Sequence, residues 1–282
     1  MSLTNRKSKL FFIILPIACV VVSVLLFNAN RIPPRKKIVV ENSTQKEKIF
    51  TSLLEAERQL SGKLKEKWDS IKKNTVNLSR NERLKWQDSS ILFWDEQNRP
   101  DLAAVVSLKK AESENNPKTW SYAGQRCYYA VKFIREQQRQ KDYYAAATYC
   151  FEKVLKVEPN NINAKIDLAS CLVEGSDNPM KGITLLKEIE RTDSNNIRLQ
   201  LSFGFFSAKS QQWDKAIRRF KKALELDPGY IEVHLHLADA YEQSGKTKEC
   251  INELEKFVLA TNDPMAKSTI QEYIQKLKKT NK

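Results

Sequence analysis

One spacing, repeated five times, limits what this chain can fold into more than any other feature. A small residue is followed four positions on by a large apolar residue, and three beyond that by another apolar or small one. The copies are Ala104, Leu108, Ala111; Ala147, Phe151, Val154; Gly182, Leu186, Ile189; Ala216, Phe220, Ala223; and Cys250, Leu254, Phe257. Five positions after each copy stands a capping or helix-breaking residue: Asn116, Pro159, Ser194, Pro228 and Asn262. Successive copies start 43, 35, 34 and 34 residues apart. A fixed period near this length marks a helical array, in which each unit buries its apolar face only against its neighbours. Such arrays bind partners far more often than they carry out chemistry.

Composition agrees with an all-α chain. Only 7 glycines and 9 prolines occur in 282 residues, and the abundant Leu, Ala, Lys, Glu and Gln are good helix formers. Alternating Val, Ile and Thr between Gly-rich turns, the strand signature, is hard to find.

The N-terminus reads differently. Leu10 to Phe27 is an uncharged run of 18 residues, just long enough at about 1.5 Å per residue to cross a hydrocarbon core. Arg6, Lys7 and Lys9 precede it, so a cleaved signal peptide is the alternative. Against cleavage, the run is long for a signal core and Phe27 is bulky where a small residue is needed before Ala29. Ile17-Ala18-Cys19 ends like a lipoprotein signal, but Pro16 stands where Leu is usual, and apolar or small residues continue beyond Cys19. A retained single-pass anchor is the expectation. Its flanks are balanced, with Arg6, Lys7, Lys9 and the amino terminus on one side and Arg31, Arg35, Lys36 and Lys37 on the other, so charge does not orient it. Five cysteines without framework spacing point weakly to a reducing compartment, and the signal-like start points to export. The expectation is an extracytoplasmic array.

The formal net charge is +14, but residues 1–40 hold seven Lys and Arg and no acid, which leaves +7 for the rest. The dense part, Arg35, Lys36 and Lys37, would meet anionic lipid headgroups. No basic stripe with interleaved aromatics argues for nucleic acid.

The expected organisation is a short basic tail (1–9), a transmembrane helix (10–28), a Pro-containing basic linker (29–44) and an amphipathic helical segment (45–84). In that segment Ile49, Leu53, Ala56, Leu60, Leu64, Trp68 and Ile71 lie near one face, and Ser61-Gly62 interrupts the pattern. Docking on the first repeat is expected, with a coiled-coil dimer as the alternative. Repeats follow at 85–116, 117–161, 162–196, 197–230 and 231–264, then a capping helix and tail at 265–282. Within a repeat, a first helix places a small residue 12 positions before that of the second, as in Gly204 to Ala216 and Ala238 to Cys250. Small side chains are needed where two antiparallel helices cross closely. The second repeat is long: Gly124 lies 23 residues before Ala147, and the extra stretch holds Tyr128, Tyr129, Phe133, Ile134, Tyr143 and Tyr144. A lengthened helix pair is expected there, either as packing or as a partner platform.

These motifs resemble the tetratricopeptide repeat, whose signature is Trp-x2-Leu-Gly-x2-Tyr followed by Ala-x3-Phe-x2-Ala-x4-Pro. Gly204, Ala216, Phe220, Ala223 and Pro228 match almost completely; Trp120, Ala123, Gly124, Ala147, Phe151 and Pro159 match in the long repeat. The first repeat departs with Leu92 where Gly is usual, and the last with Cys250 and Phe257 for alanines. The resemblance covers about residues 85–264 and implies a right-handed superhelix with a concave groove lined by first helices. The groove positions it implies are Ile166, Ser170, Leu201, Phe205, Leu235 and Asp239, flanked by Arg198 and Glu232. The paired Lys and Asn with which some relatives grip a chaperone's terminal carboxylate are absent from these positions. With the anchor, the whole looks like a membrane-tethered repeat protein of the bacterial inner membrane.

Catalytic constellations are missing. His234 and His236, two apart on a helix, point to different sides and make a poor chelate. Cys127, Cys150, Cys171 and Cys250 stand singly at helical positions that suit buried thiols. No phosphate-cradling glycine loop or nucleophile elbow occurs. The expected function is therefore an adaptor or scaffold for a protein or peptide client, with no cofactor, metal or small-molecule substrate. A self-associating structural protein, or an anchored subunit aiding maturation of an exported enzyme, are the alternatives.

Overall fold

The computed structural model describes residues 36–72 and 79–280. By contact density the chain divides into residues 1–44 and residues 45–282, and the second unit carries the array. The run Leu10–Phe27 and residues Cys19 and Arg35 lie outside the described residues. Among the described residues, no helix is long and apolar enough to cross a membrane.

Two N-terminal helices come first: α1 (Lys36–Gln59) and α2 (Gly62–Lys72). The start at Lys36 falls within the stretch expected to be linker, so Lys36 and Lys37 belong to a helix. Gly62 opens α2 with a φ of +53°, a left-handed conformation that a Cβ disfavours. Five antiparallel helix pairs follow: α3 (Arg80–Glu96) with α4 (Pro100–Glu114), α5 (Pro117–Ala130) with α6 (Gln137–Val157), and α7 (Ile162–Gly175) with α8 (Met180–Thr192). Then come α9 (Ile197–Lys209) with α10 (Trp213–Leu226) and α11 (Glu232–Gln243) with α12 (Thr247–Ala260), before a final helix, α13 (Pro264–Thr280). The described residues form an all-α, tetratricopeptide-like array.

Polar caps set the starts of the first helices. Ser79 and Glu82 form a capping box on α3, with Ser79 N donating to Glu82 Oε2 at 2.9 Å. Asn116, Asn161 and Asn196 each accept a backbone N–H with their side chains at 3.0, 2.9 and 3.2 Å, opening α5, α7 and α9.

Close crossings explain the small residues. A Cβ on Gly204 would overlap the Phe220 ring, and one on Gly182 would overlap the Ala169 carbonyl. Both positions therefore require glycine for their helices to approach as closely as they do. The first pair is built differently. Leu92, which the 12-residue spacing sets at the crossing, is exposed, whereas Phe93 and Trp94 are buried. Trp68 of α2 lies 5.0 Å from the Phe93 ring and 5.2 Å from that of Trp94, and this aromatic contact sets which side of α3 faces inward.

The N-terminal helices dock: Ile49, Leu53, Ala56 and Trp68 belong to the same buried cluster as α4, α5 and α6. The extra residues of the second pair are split. A 3-10 turn at Val131–Phe133 continues α5, the chain breaks at Ile134, and α6 lengthens to 21 residues.

Candidate functional site

First helices of neighbouring pairs touch directly, α5 against α7 and α7 against α9. The face they build is laced by polar contacts between pairs. Asp167 on α7 accepts from Gln125 Nε2 on α5 at 3.3 Å and from Arg198 Nη2 on α9. Burial pushes the Asp167 carboxyl up, and the Arg198 guanidinium opposes the shift. Farther along α7, Glu174 accepts from the Tyr128 and Tyr144 hydroxyls at 2.8 and 3.0 Å and from Lys209 Nζ at 3.0 Å. Burial first, then the Glu174 carboxylate, push both phenols up, so they act as donors throughout the physiological range.

The expected groove residues do not share one environment. Ile166 is 1% exposed and Leu201 9% exposed, both inside buried clusters, and Leu235 packs partly buried beside Leu201's cluster. Close approach of neighbouring pairs consumes these positions. Ser170 Oγ donates to the Ile166 carbonyl at 3.0 Å, and Arg198 is held by Asp167. Glu232 and Asp239 are exposed on α11.

Phe205 is the apolar member that remains available, at 43% exposure. It sits in an aromatic triad, 5.4 Å from the Phe220 ring and 4.7 Å from that of His236, with Phe220 and His236 stacked at 5.5 Å. Burial lowers the His236 pKa, so the ring is neutral near pH 7. His234 faces elsewhere, its Nδ1 2.6 Å from Glu253 Oε2.

A second exposed aromatic set lies along α5. Tyr122, Tyr129 and Phe133 recur at helical spacing, with Arg126 over the Tyr122 ring at 6.0 Å, Lys132 over Tyr129 at 5.7 Å, and the Tyr129 and Phe133 rings 5.2 Å apart. Tyr129 and Phe133 are visible in the extra stretch of sequence. Tyr122 is hidden within the repeat motif itself, and only its spacing of seven from Tyr129 signals that it shares their face.

The described thiols, those of Cys127, Cys150, Cys171 and Cys250, are all buried. Burial pushes the Cys127 and Cys171 thiols well up and that of Cys250 up to about 11, which suits packing rather than nucleophilic attack.

Comparison with known proteins gives matches to part of the chain. The family profile described as tetratricopeptide repeat matches residues 207–272. Sperm-associated antigen 1 of Mus musculus is 37% identical over 71 residues, which is 25% of this chain; its counterpart from Rattus norvegicus is 38% identical over the same length. This chain spans only about 8% of the length of these relatives. Similar solved structures include TTC0263, a thermophilic repeat protein of Thermus thermophilus, at 17% identity and a TM-score of 0.49, covering 71% of this chain and 98% of that one. MamA from Desulfovibrio magneticus RS-1 shows 20% identity and a TM-score of 0.42 over 64% of this chain and 97% of its own. YrrB, described as a repeat protein with an unusual peptide-binding site, shows 19% identity and a TM-score of 0.40 over 72% and 96%.

Proposed function

We propose that the protein is a membrane-tethered adaptor that holds a protein partner on the face built by its first helices. The observation that carries this is Phe205, an aromatic left 43% exposed on that face. Arg198 stands on the same helix, α9, and the exposed carboxylates Glu232 and Asp239 on the neighbouring α11. An aromatic anchor within a charged rim is the arrangement that gives interfaces their affinity. The repeat match at residues 207–272 covers α10 to α12 and supports a protein-interaction role.

Tethering belongs to the same reading. The run Leu10–Phe27 serves as a single-pass anchor, Arg35, Lys36 and Lys37 sit beside anionic headgroups, and the array stands outside the cytoplasm of a bacterial inner membrane. Confinement then raises the effective concentration of a weakly held client near membrane machinery.

The groove is tested with Phe205→Glu in the full chain. Loss of a co-purifying protein, with the melting temperature held within about 2 °C, supports the adaptor; joint loss of partner and stability means that Phe205 is core. The anchor is tested by alkaline extraction of membranes, with the protein expected in the pellet and a variant lacking residues 1–40 in the supernatant. Orientation needs a reporter such as Gln271→Cys on the exposed side of α13, because the described native thiols are buried. Labelling by a membrane-impermeant maleimide is expected.

Self-association is the second reading, favoured by the exposed Tyr122, Tyr129 and Phe133. Light scattering of residues 41–282 decides it, since a strict monomer removes it.

A further inference from the structure

The first helices around Phe205 are acidic, although the chain as a whole is basic. Across α7, α9 and α11 five carboxylates stand against three cations. Both cations of α9 are committed to α7: Arg198 Nη2 donates to Asp167, and Lys209 Nζ donates to Glu174 Oε1 at 3.0 Å. The carboxylates of α11 have no such match. Glu242 accepts from the Tyr273 hydroxyl at 2.5 Å, a phenol that this bond keeps protonated. Glu232 and Asp239 are exposed, and among the described residues no cation forms an ion pair with either. Cations beside α11 are turned elsewhere: Lys221 lies over the Tyr241 ring at 5.7 Å, Lys246 pairs with Asp214 at 2.8 Å, and Lys256 with Glu253 at 2.8 Å.

The two unmatched carboxylates bracket an apolar spot. The Phe205 ring lies 4.7 Å from that of His236. Glu232 stands four residues before His236 and Asp239 three after it, so all three share one face of α11. Burial lowers the His236 pKa and both carboxylates oppose that fall, which puts their charge beside the ring pair. Seven residues at about 1.5 Å each separate the two carboxylates by about 10 Å along the helix. An extended segment covers that distance in about three residues.

We infer that the partner presents a basic segment here, with an apolar side chain against Phe205 and His236 and a Lys or Arg on each side, reaching Glu232 and Asp239. Opposite charge at the rim steers the encounter and rejects acidic competitors. A guanidinium gains further from the face of a ring. The inference rests on the adaptor reading and names the chemistry of its partner.

The probe is a library of random dodecapeptides displayed on phage and selected on the purified full chain, with Phe205→Ala as the counter-selection. Peptides that need Phe205 are expected to be enriched in Lys and Arg over the starting library. Nonspecific attraction to a chain of formal charge +14 selects the opposite, acidic peptides. In fluorescence anisotropy a selected peptide is expected to bind the double variant Glu232→Gln, Asp239→Asn about tenfold or more weakly than the parent. Both side chains are exposed, so that variant is expected to melt within about 2 °C of the parent. Selected peptides that are neutral or acidic, or that bind the double variant as tightly as the parent, overturn the inference and leave the adaptor reading standing. A melting temperature lower by several degrees would give the carboxylates partners within the fold and overturn it likewise. No peptide that needs Phe205 overturns both readings together.

Discussion

The two ends of the array solve one packing problem with different side chains. In the last two pairs, residues 197–260, backbones approach through Gly204, Ala216, Ala223, Ala238 and Cys250, and single large residues such as Phe220, Leu237 and Leu254 fill what remains. In the first two pairs and the helices docked on them, space is filled by rings: Trp68, Phe93, Trp94, Tyr143 and Phe151 are all buried. Charge accompanies them, with Arg126 paired to Asp95 and two arginines on Asp101. Among the described residues, the indole N–H groups of Trp68, Trp86 and Trp94 have no acceptor. A regular repeat packs against its immediate neighbours in sequence and is intolerant of added volume. The irregular end depends on segments distant in sequence and carries unsatisfied polar groups, so it has more ways to open.

The sharpest way to break this contrast is Trp68→Ala. Losing a buried indole costs about 3–5 kcal/mol, and the effect is expected to stay local: hydrogen exchange should quicken in α2 and α3 and hold in α9 to α12. Uniform loss of protection would show that the ends are not distinct. Gly204→Ala probes the other end, where the new methyl meets the Phe220 ring; a cost of about 1–3 kcal/mol is expected by denaturant titration. No change would mean that the crossing has slack. His236 gives the smallest effect. Burial lowers its pKa in the folded state, so the unfolded chain takes up the proton first. The stabilisation is full above about pH 6.5 and lost as pH falls through the lowered folded pKa. Melting curves at pH 7 and 5 should therefore converge in His236→Phe relative to the parent.

The same contrast governs what can be read from the residues alone. Gly204 and Gly182 announce their crossings because the constraint is local: one backbone meets its neighbour at a fixed offset. Asn161 and Asn196, which cap α7 and α9, are as visible in the sequence as Asn116, but the breakers Pro159 and Ser194 that precede them draw the eye first. The offset sets Leu92 at a crossing, yet it is exposed, because Trp68, remote in sequence, decides which side of α3 turns inward. The groove is legible only in part. The resemblance to the tetratricopeptide repeat assigns Ile166, Leu201 and Phe205 to one face, yet the distance between neighbouring pairs decides which of them is covered, and no spacing within a repeat encodes it.

The central claim is that the first-helix face holds a protein other than itself. It is tested most directly by photo-crosslinking in cells, with the crosslinker at Phe205 and a control at Gln271 on α13, followed by mass spectrometry. The account predicts a discrete non-self protein captured at Phe205 and absent from the control. Capture of a second copy, or of nothing, would contradict it and leave a scaffold whose inner face is already filled.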